Sequence, residues 1–313
     1  MQNAILKVRT KELIMKSLLK WTWLVVGSLL PGGCATAATE PPKTEPDPKP
    51  KLIMLGTGAG NPSMIRNNSC TWLNTRHGAY LIDAGGPVAA SIIRKKLDFN
   101  LIRAVFITHM HEDHFGGLTG FLKNRMVKYG PFTKKSLWKG YWPEVWLPDP
   151  EAPEAFDRLM AIQFRGEQRD RIKYQVIKPG LFYDDGFLKV TAIPNRHMPW
   201  KGQFLPSYSF LMEFEGRKLL FTGDLTADFS DFPVEAAKDA DLVVCEFTHY
   251  HFYERKKPEA LQKIRPGMLL FNHVAGKNEA YFPELAKQLN YPAAVAKDGD
   301  EFEIPDRKGN GAK

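Results

Sequence analysis

Four potential metal ligands fall within six residues of the segment Thr108-His109-Met110-His111-Glu112-Asp113-His114-Phe115-Gly116-Gly117. The segment follows the apolar run RAVFIT at residues 103–108, which predicts a buried strand. Imidazole and carboxylate groups suit Zn²⁺, and a strand-to-helix turn lets alternate side chains converge on one point. The chain has eight histidines and three of them lie here, which argues against a chance cluster of surface histidines. The segment therefore predicts a metal centre at the end of a buried strand.

Further candidate ligands follow in order along the chain. His197 comes after the predicted strand VTAIP, Asp224 lies in FTGD, and His273 lies in LLFNH. Asp83, in LIDAG, precedes the histidine segment. Together with the pattern His-x-His-x-Asp-His, this order resembles the metallo-β-lactamase-fold metallohydrolases over nearly all of residues 52–305. The resemblance implies an α/β fold, a four-layer αββα sandwich, and a metal-dependent hydrolase.

The same resemblance distributes the ligands over two metal sites. Each site would take three residues: His109, His111 and His197 in the first, and Asp113, His114 and His273 in the second. Asp224 would bridge the two sites. Asp83 would orient a ligand or the backbone of the metal-binding loop, with simple loop capping as the alternative.

The implied cofactor is a pair of Zn²⁺ ions per chain, with Mn²⁺ or Fe²⁺ as alternatives. Two such ions about 3.5 to 4 Å apart share a hydroxide, because metal binding lowers the pKa of water from about 15.7 to about 7. This metal-bridging hydroxide would be the nucleophile, so no serine or cysteine nucleophile is required. Cys70 and Cys245 lie in apolar strand contexts and are interpreted as core residues or a disulfide pair.

Three stretches resemble the ribonuclease Z-like branch, which includes arylsulfatase-like and cyclic-nucleotide phosphodiesterase-like members: residues 55–73, 206–225 and 241–249. The resemblance implies cleavage of a phosphodiester or a related anionic ester such as a sulfate. Glu246 matches the glutamate of a His-Glu-Ala-Thr motif, but the His-Ser-Thr element of tRNA-processing members is absent. His249 and His251 are the nearest candidates for the missing acid, with a lone exposed histidine as the alternative for each. The catalytic candidates are Asp113, Glu246 and His249.

An apparent insertion spans Leu122–Trp146, between the metal motif and His197. It combines six Lys or Arg residues with six aromatic side chains: Tyr129, Phe132, Trp138, Tyr141, Trp142 and Trp146. Basic residues among aromatic rings can bind an anionic substrate that carries a ring or a nucleobase. The alternative is a solvated loop whose aromatic side chains pack against the domain.

The N-terminal part predicts export. Lys16 and Lys20 precede an apolar stretch, Trp21–Leu30, which suits a signal peptide and is too short for a membrane-spanning helix. Cys34 follows a sequence that resembles a bacterial lipobox, which implies a membrane-anchored lipoprotein; cleavage near Ala37, an uncleaved anchor and a start at Met15 are the alternatives. The expected localisation is the periplasm or the membrane.

The expected boundaries divide the chain into four parts: a leader at 1–34, a Pro-rich linker at 35–51, one hydrolase domain at 52–305, and a polar tail at 306–313. Alternating strands and helices without a linker-like break support the single domain. Strands are predicted at LIMLGT, TWL, AYLIDAG, RAVFIT, VTAIP, YSFLMEF, KLLFTG and DLVVCEF. Helices are predicted after Pro87, over Glu154–Phe164 and over Ala280–Leu289.

Composition narrows the functional classes. Three cysteines exclude a disulfide-stapled scaffold, and a mean hydropathy of −0.32 excludes a polytopic membrane protein. Half of the net charge of +8 comes from the first twenty residues, so the rest of the chain is only mildly basic. The resemblance to the ribonuclease Z-like branch implies a small anionic ester as substrate, and the predicted export argues against tRNA, so no stable nucleic-acid partner is expected. Lactone or β-lactam hydrolysis, and a noncatalytic metal- or nucleic-acid-binding lipoprotein, are the competing hypotheses.

Overall fold

Two seven-stranded β-sheets pack face to face in the computed structural model of the chain. It describes residues 49–61, 63–126, 142–163, 169–251 and 259–305. All of them belong to one compact unit, Pro41–Lys313. No helix within the described ranges has the length and apolar content needed to cross a membrane.

The first sheet has the strand order β16-β1-β2-β3-β4-β5-β6. Its strands are β1 (Lys51–Gly56), β2 (Cys70–Thr75), β3 (Gly78–Ile82), β4 (Ile102–Phe106), β5 (Glu144–Leu147), β6 (Lys173–Val176) and β16 (Glu301–Glu303). Strands β16, β1, β2 and β3 pair antiparallel, whereas β3, β4, β5 and β6 pair parallel. The carboxyl ends of β3 and β4 therefore meet at one edge of the sheet.

The second sheet has the order β15-β14-β13-β12-β11-β8-β7. Its strands are β7 (Gly180–Asp184), β8 (Lys189–Pro194), β11 (Tyr208–Phe214), β12 (Arg217–Phe221), β13 (Leu242–Phe247), β14 (Met268–Val274) and β15 (Ala293–Val295). Strands β12 to β15 are parallel, so their carboxyl ends share an edge. A separate two-stranded hairpin, β9 (Pro199–Trp200) with β10 (Gln203–Phe204), interrupts the path from β8 to β11.

Seven described α-helices accompany the sheets: α1 (Val88–Arg94), α2 (Glu112–Phe115), α3 (Leu118–Met126), α4 (Ala152–Gln163), α5 (Val234–Ala237), α6 (Glu259–Gln262) and α7 (Gly276–Ala286). Two 3₁₀ turns lie at Phe99–Leu101 and Arg169–Arg171. Helices α1, α3 and α4 contribute buried side chains to one apolar cluster outside the first sheet. Helices α5, α6 and α7 do the same outside the second sheet.

A third apolar cluster fills the space between the sheets. Strand β4 shows how the layers arise: Phe106 packs in this central cluster, while Val105 packs in the outer cluster with the helices. Successive side chains of a strand point to opposite faces, so a continuous apolar run is what a strand buried on both faces needs. The architecture is an αββα sandwich, which confirms the fold expected from the sequence.

A strand overlaps each of the eight predicted runs, and a helix overlaps each predicted helix, but the last helix spans Gly276–Ala286 rather than Ala280–Leu289. A further correction concerns Leu122–Trp146. Its first residues end helix α3, and its last residues form strand β5, so neither end is a loop. Trp146 packs against Phe182, with ring centroids 5.2 Å apart, and serves the central core. Residues 127–141, which carry Lys134, Lys135, Lys139, Trp138 and the other aromatic candidates of this stretch, lie outside the described residues.

Candidate metal centre

All seven candidate ligands come together where strands of the two sheets end. His109, His111, Asp113 and His114 follow β4, and the short helix α2 folds this segment back on itself. His197 follows β8, Asp224 follows β12, and His273 is the penultimate residue of β14. Because these strand ends face one another across the sandwich, residues distant in the sequence reach a common centre.

The first group converges around the Nε2 atoms of His109 and His197. The Nδ1 atom of His111 lies 3.0 Å from His109 Nε2 and 3.2 Å from His197 Nε2. The Asp224 Oδ2 atom lies 3.8 Å from His109 Nε2 and 3.5 Å from His197 Nε2. These four atoms can hold one metal ion.

The second group lies on the other side of Asp224. The Oδ1 atom of Asp224 is 3.5 Å from His114 Nε2 and 3.4 Å from His273 Nδ1. Asp113 Oδ2 is 3.0 Å from His273 Nε2 and 3.5 Å from His114 Nε2. Each oxygen of the Asp224 carboxylate therefore faces a different group, which is the arrangement expected of a bridging ligand.

The donor atoms fit a divalent metal. Among the described residues, three buried atoms at this point have no hydrogen-bond partner: His114 Nε2, Asp224 Oδ1 and His273 Nδ1. Buried polar atoms are normally paired, so such a concentration needs an explanation. Ligands about 2.0 to 2.1 Å from a tetrahedral Zn²⁺ lie about 3.3 Å from one another, close to the observed spacings. The site can thus satisfy these atoms with a cation.

The electrostatic environment favours the protonation states that bind metals, namely neutral imidazole and ionised carboxylate, in most of these groups. Burial lowers the pKa of His109 well below its usual 6.5, and burial also lowers the pKa of His111 and of His197. Neutral imidazoles offer a free lone pair to a metal. Burial opposes ionisation of Asp224, but His273 and His114 outweigh it and hold the pKa of that carboxyl well below its usual value.

His114 is the exception. Burial favours its neutral form, but the Asp224 and Asp83 carboxylates outweigh burial and raise the pKa of His114 well above 6.5. Binding a metal at this histidine therefore requires the loss of a proton.

Asp83 supports the centre from behind. Its Oδ2 atom lies 2.7 Å from His114 Nδ1, and its Oδ1 atom accepts hydrogen bonds from the backbone N–H and hydroxyl of Thr108 at 2.8 and 3.0 Å. The contact fixes the His114 ring so that its Nε2 faces Asp224 and Asp113. Asp83 thus contacts both a candidate ligand and the loop backbone, as expected from the sequence.

Gly85 allows helix α2 to pack closely against the chain that follows β3 and Asp83. A Cβ atom on Gly85 would lie 2.2 Å from the backbone oxygen of Asp113, closer than any side chain tolerates. Gly85 follows β3, so its absence of a side chain lets the two strand ends close on each other.

Glu246 and His249 adjoin the same centre. Glu246 Oε2 accepts the backbone N–H groups of Thr248 and His249, at 2.7 and 2.8 Å, and Glu246 Oε1 lies 3.2 Å from His249 Nδ1. His249 Nδ1 is also 3.7 Å from Asp224 Oδ2, and its ring stacks on His273. Burial lowers the pKa of His249, but Glu246 and Asp224 outweigh it and raise that pKa to about 9.

The other candidates lie apart from the described cluster. His251 Nδ1 lies 3.2 Å from Lys277 Nζ. The Arg125 and Arg171 guanidinium groups lie 4.3 and 5.3 Å from the centroid of the Trp142 ring. The ring therefore contacts cations of the protein itself. Cys70 and Cys245 are buried free thiols rather than a disulfide pair.

Sequence reasoning missed two supports of the site. Asp298 accepts hydrogen bonds from Thr57 and Asn67, at the two ends of the loop that carries Gly60 to the side of Asp113. Ser207 pairs with His109 in an isolated bridge. Asp298 lies outside the stretches that carry the resemblance, and Ser207 lies inside one of them, residues 206–225, without being a candidate there. Only the pairing of distant segments reveals their roles.

Residues 50–255 match the family of the Anti-Pycsar protein Apyc1. The chain belongs to this family. The match covers about two thirds of the chain and includes six of the seven candidate ligands, His273 being outside it.

Curated relatives and solved structures are similar to this Apyc1-family chain. The ribonuclease Z of Lacticaseibacillus casei is 28% identical over 317 residues, covering 82% of the chain and 96% of the relative. The ribonuclease Z of Listeria monocytogenes is 34% identical over 145 residues, covering 45% of the chain and 44% of the relative.

Among solved structures, the metallo-β-lactamase-fold protein YhfI from Bacillus subtilis superposes with a TM-score of 0.64 at 18% identity, covering 82% of the chain and all of YhfI. The short form of human tRNase Z superposes with a TM-score of 0.60 at 21% identity, with the same coverage. The Apyc1-family chain is therefore a ribonuclease Z-like metallohydrolase with the metallo-β-lactamase fold.

Proposed function

We propose that the chain hydrolyses a phosphodiester bond in a small anionic substrate with the help of two Zn²⁺ ions. The relatives named as ribonucleases support a phosphodiester, since ribonucleases cleave the phosphodiester bonds of RNA. The sulfate ester considered from the sequence belongs to the same proposal as a weaker substrate, because its tetrahedral centre carries similar oxygens.

The observation that carries the proposal is the division of seven donors into two groups that share the two oxygens of Asp224. When bound, paired divalent ions lower the pKa of water and stabilise the negative charge that develops on the oxygens of a hydrolysed ester. The donor groups would be His109, His111 and His197 on one side, and Asp113, His114 and His273 on the other.

The chain's own residues would then position the water and release the alcohol. Asp113 would accept a hydrogen bond from the attacking water, since its carboxylate lies inside the second group beside His273. His249 would donate a proton to the departing oxygen. Glu246 fixes the His249 backbone and contacts its Nδ1 atom, which leaves the Nε2 edge of the ring for the substrate.

The substrate class can be tested with the purified, metal-loaded chain. We expect turnover of bis(p-nitrophenyl) phosphate, slower turnover of p-nitrophenyl sulfate, and little turnover of nitrocefin or a homoserine lactone. Preferred opening of the lactone or of nitrocefin would replace the phosphodiester by an activated carbonyl as the substrate. Metal binding without turnover of any of the four compounds would support the noncatalytic hypothesis.

The role of His249 can be tested by varying the leaving group. Proton donation matters most for a poor leaving group, and p-nitrophenolate departs without it. His249→Ala should therefore lower kcat/KM for an alkyl phosphodiester by about 10²- to 10⁴-fold, and much less for bis(p-nitrophenyl) phosphate. His251→Ala is the matched control. Equal losses on both substrates would leave His249 with a binding role only.

We also propose that the protein works in the cell envelope, held at the membrane by a lipid on Cys34. The predicted leader and the lipobox-like sequence before Cys34 support this, although both lie outside the described residues. Cys34→Ser should move the protein from the membrane fraction to the soluble periplasm without changing its hydrolytic rate. A wild-type protein that is already soluble would favour cleavage near Ala37.

A further inference from the structure

The hairpin β9–β10 lies in the connection between two segments that border the candidate metal centre. Its first strand begins two residues after His197, and Leu205 N–H donates to Met198 O at 2.9 Å to close its base. Below this base, Asn195 N–H donates to Ser207 O at 3.0 Å, and Ser207 bridges to His109. Both ends of the hairpin are therefore fixed to segments that carry candidate ligands.

The tip of the hairpin is a tight turn. Lys201 and Gly202 are the two residues between the strands, and both have positive φ values, 47° and 81°. Positive φ at both central positions is characteristic of a type I′ turn, which matches the twist of the flanking strands. The turn fixes the backbone of Trp200 and Lys201, so only their side chains remain to be ordered when a ligand binds.

The hairpin exposes two large aromatic side chains beside a charge. Trp200 and Phe204 are each 54% exposed, and Lys201 Nζ lies 5.2 Å from the centroid of the Trp200 ring. Trp200 pairs with Gln203, whereas Phe204 pairs with Pro199, so the two rings point to opposite faces of the hairpin. Trp200 thus combines an accessible ring face with a neighbouring cation.

We propose that Trp200 and Lys201 form a subsite that binds the flat aromatic ring of the substrate, with the Lys201 ammonium as a cation beside that ring. This inference rests on the proposed function for the anionic ester that carries the ring. A ring stacked on Trp200 gains contact area, and a cation suits an anionic ester. The ring is either an aryl group or a nucleobase, since both have the same flat π-face.

Ligand binding to the metal-loaded chain tests the subsite without depending on turnover. Calorimetry would compare phenyl phosphate, thymidine 5′-monophosphate and methyl phosphate, which share a phosphate and differ in the ring. Trp200→Ala should weaken the first two by about 5- to 100-fold, as for a base stacked on an aromatic side chain, and change methyl phosphate by less than twofold. Loss confined to thymidine 5′-monophosphate identifies a nucleobase, and equal loss for both ring ligands identifies any aromatic ring.

Two further variants distinguish the effect of the Trp200 ring from the effect of the Lys201 charge and from a general disturbance of the hairpin. Lys201→Asn keeps a residue that tolerates positive φ and should weaken all three ligands, since it removes a charge. Phe204→Ala, on the opposite face, should leave all three affinities within twofold. Metal content and circular dichroism should match those of the wild type in each variant.

The subsite is overturned if Trp200→Ala leaves the affinity for both ring ligands unchanged, or weakens methyl phosphate equally. It is also overturned if Phe204→Ala, rather than Trp200→Ala, abolishes the preference for a ring. A ring preference that depends on Trp200 in a protein that hydrolyses no phosphodiester would sustain the subsite and reject the proposed reaction.

Discussion

Asp224 connects the two groups of donors at the residue scale. It is 2% exposed, and its oxygens are shared between histidines of both groups. A buried carboxylate surrounded by imidazoles is stable only when charge and hydrogen bonding compensate its desolvation. The two proposed metal ions would supply that compensation for both groups simultaneously.

Replacing Asp224 should therefore affect both sites. We expect about two metal ions per wild-type chain and a loss of affinity at both sites in Asp224→Ala, measured by elemental analysis after dialysis. Asp228→Ala is the control, because Asp228 accepts hydrogen bonds from Thr226 and Ser230 in the same loop. One ion in a fully loaded wild type would reject the two-metal proposal.

Asp83 would influence metal binding indirectly, because it contacts the candidate ligand His114. Asp83→Asn keeps the size of the side chain but weakens the contact with His114 Nδ1. Loss of such a supporting contact typically lowers metal affinity by about 10- to 100-fold. We expect that loss at the second site alone, seen by competition with a chelator, with the first site retained. Unchanged affinity at both sites would reduce Asp83 to a loop cap.

The loop between β1 and β2 is the informative feature at the element scale. Asp298, from the chain segment between β15 and β16, accepts hydrogen bonds from Thr57 N–H, Thr57 Oγ1 and Asn67 N–H at 2.9, 2.7 and 2.6 Å. One carboxylate therefore holds both ends of a loop that passes Asp113 at Gly60. The loop needs this external anchor because Thr57 is fully buried.

Asp298→Ala should destabilise the protein by leaving these donors unpaired. An unpaired buried donor costs about 1 to 3 kcal/mol, so we expect a loss of about 2 to 4 kcal/mol in the free energy of unfolding. Denaturant titration measures it. Asp300→Ala is the neighbouring control, because Asp300 accepts one exposed backbone hydrogen bond, from Lys297, and should cost less than half as much. Equal losses would mean that the whole segment, rather than the Asp298 anchor, determines stability.

Asp185 joins the two sheets at the scale of the whole molecule. It follows β7 in the second sheet, and its Oδ2 atom accepts hydrogen bonds from Tyr80 Oη and Arg103 Nε of the first sheet at 2.8 and 2.6 Å. Burial alone would raise the pKa of Asp185. The N–H groups of Leu188 and Phe187, with Tyr80 and Arg103, outweigh burial and lower that pKa below its usual value.

The stability contributed by Asp185 should depend on pH. Because the folded pKa is lower than the unfolded value of about 3.9, the contribution is complete above that value and is lost as pH falls through the folded pKa. Asp185→Asn should be less stable than the wild type by about 2 to 3 kcal/mol at pH 7, and the difference should narrow toward pH 3. Urea titrations at both pH values measure it. If the stability difference between the two proteins were the same at both pH values, ionisation of Asp185 would not contribute to the link between the sheets.

The sequence by itself predicted the candidate ligands and determined the layered fold. The apolar runs of β4, β11 and β13 indicate buried strands, because continuous apolar residues are what two-sided burial requires. The segment His109–His114 is local, so its spacing alone predicts a metal centre. His197, Asp224 and His273 were found because each follows or ends such a strand, in the order of a known pattern.

Only the tertiary structure decided which partners these residues meet. Asp298 and Thr57 are 241 residues apart, and the bridge from Ser207 to His109 ties the hairpin of Trp200 to the segment of the candidate ligands. Local sequence carries no signal for such pairs, because strand order and closure of the sheets bring them together. The same reason explains why Trp146, an aromatic residue in a basic stretch, packs against the central core. Its position in β5 turns the ring toward the space between the sheets.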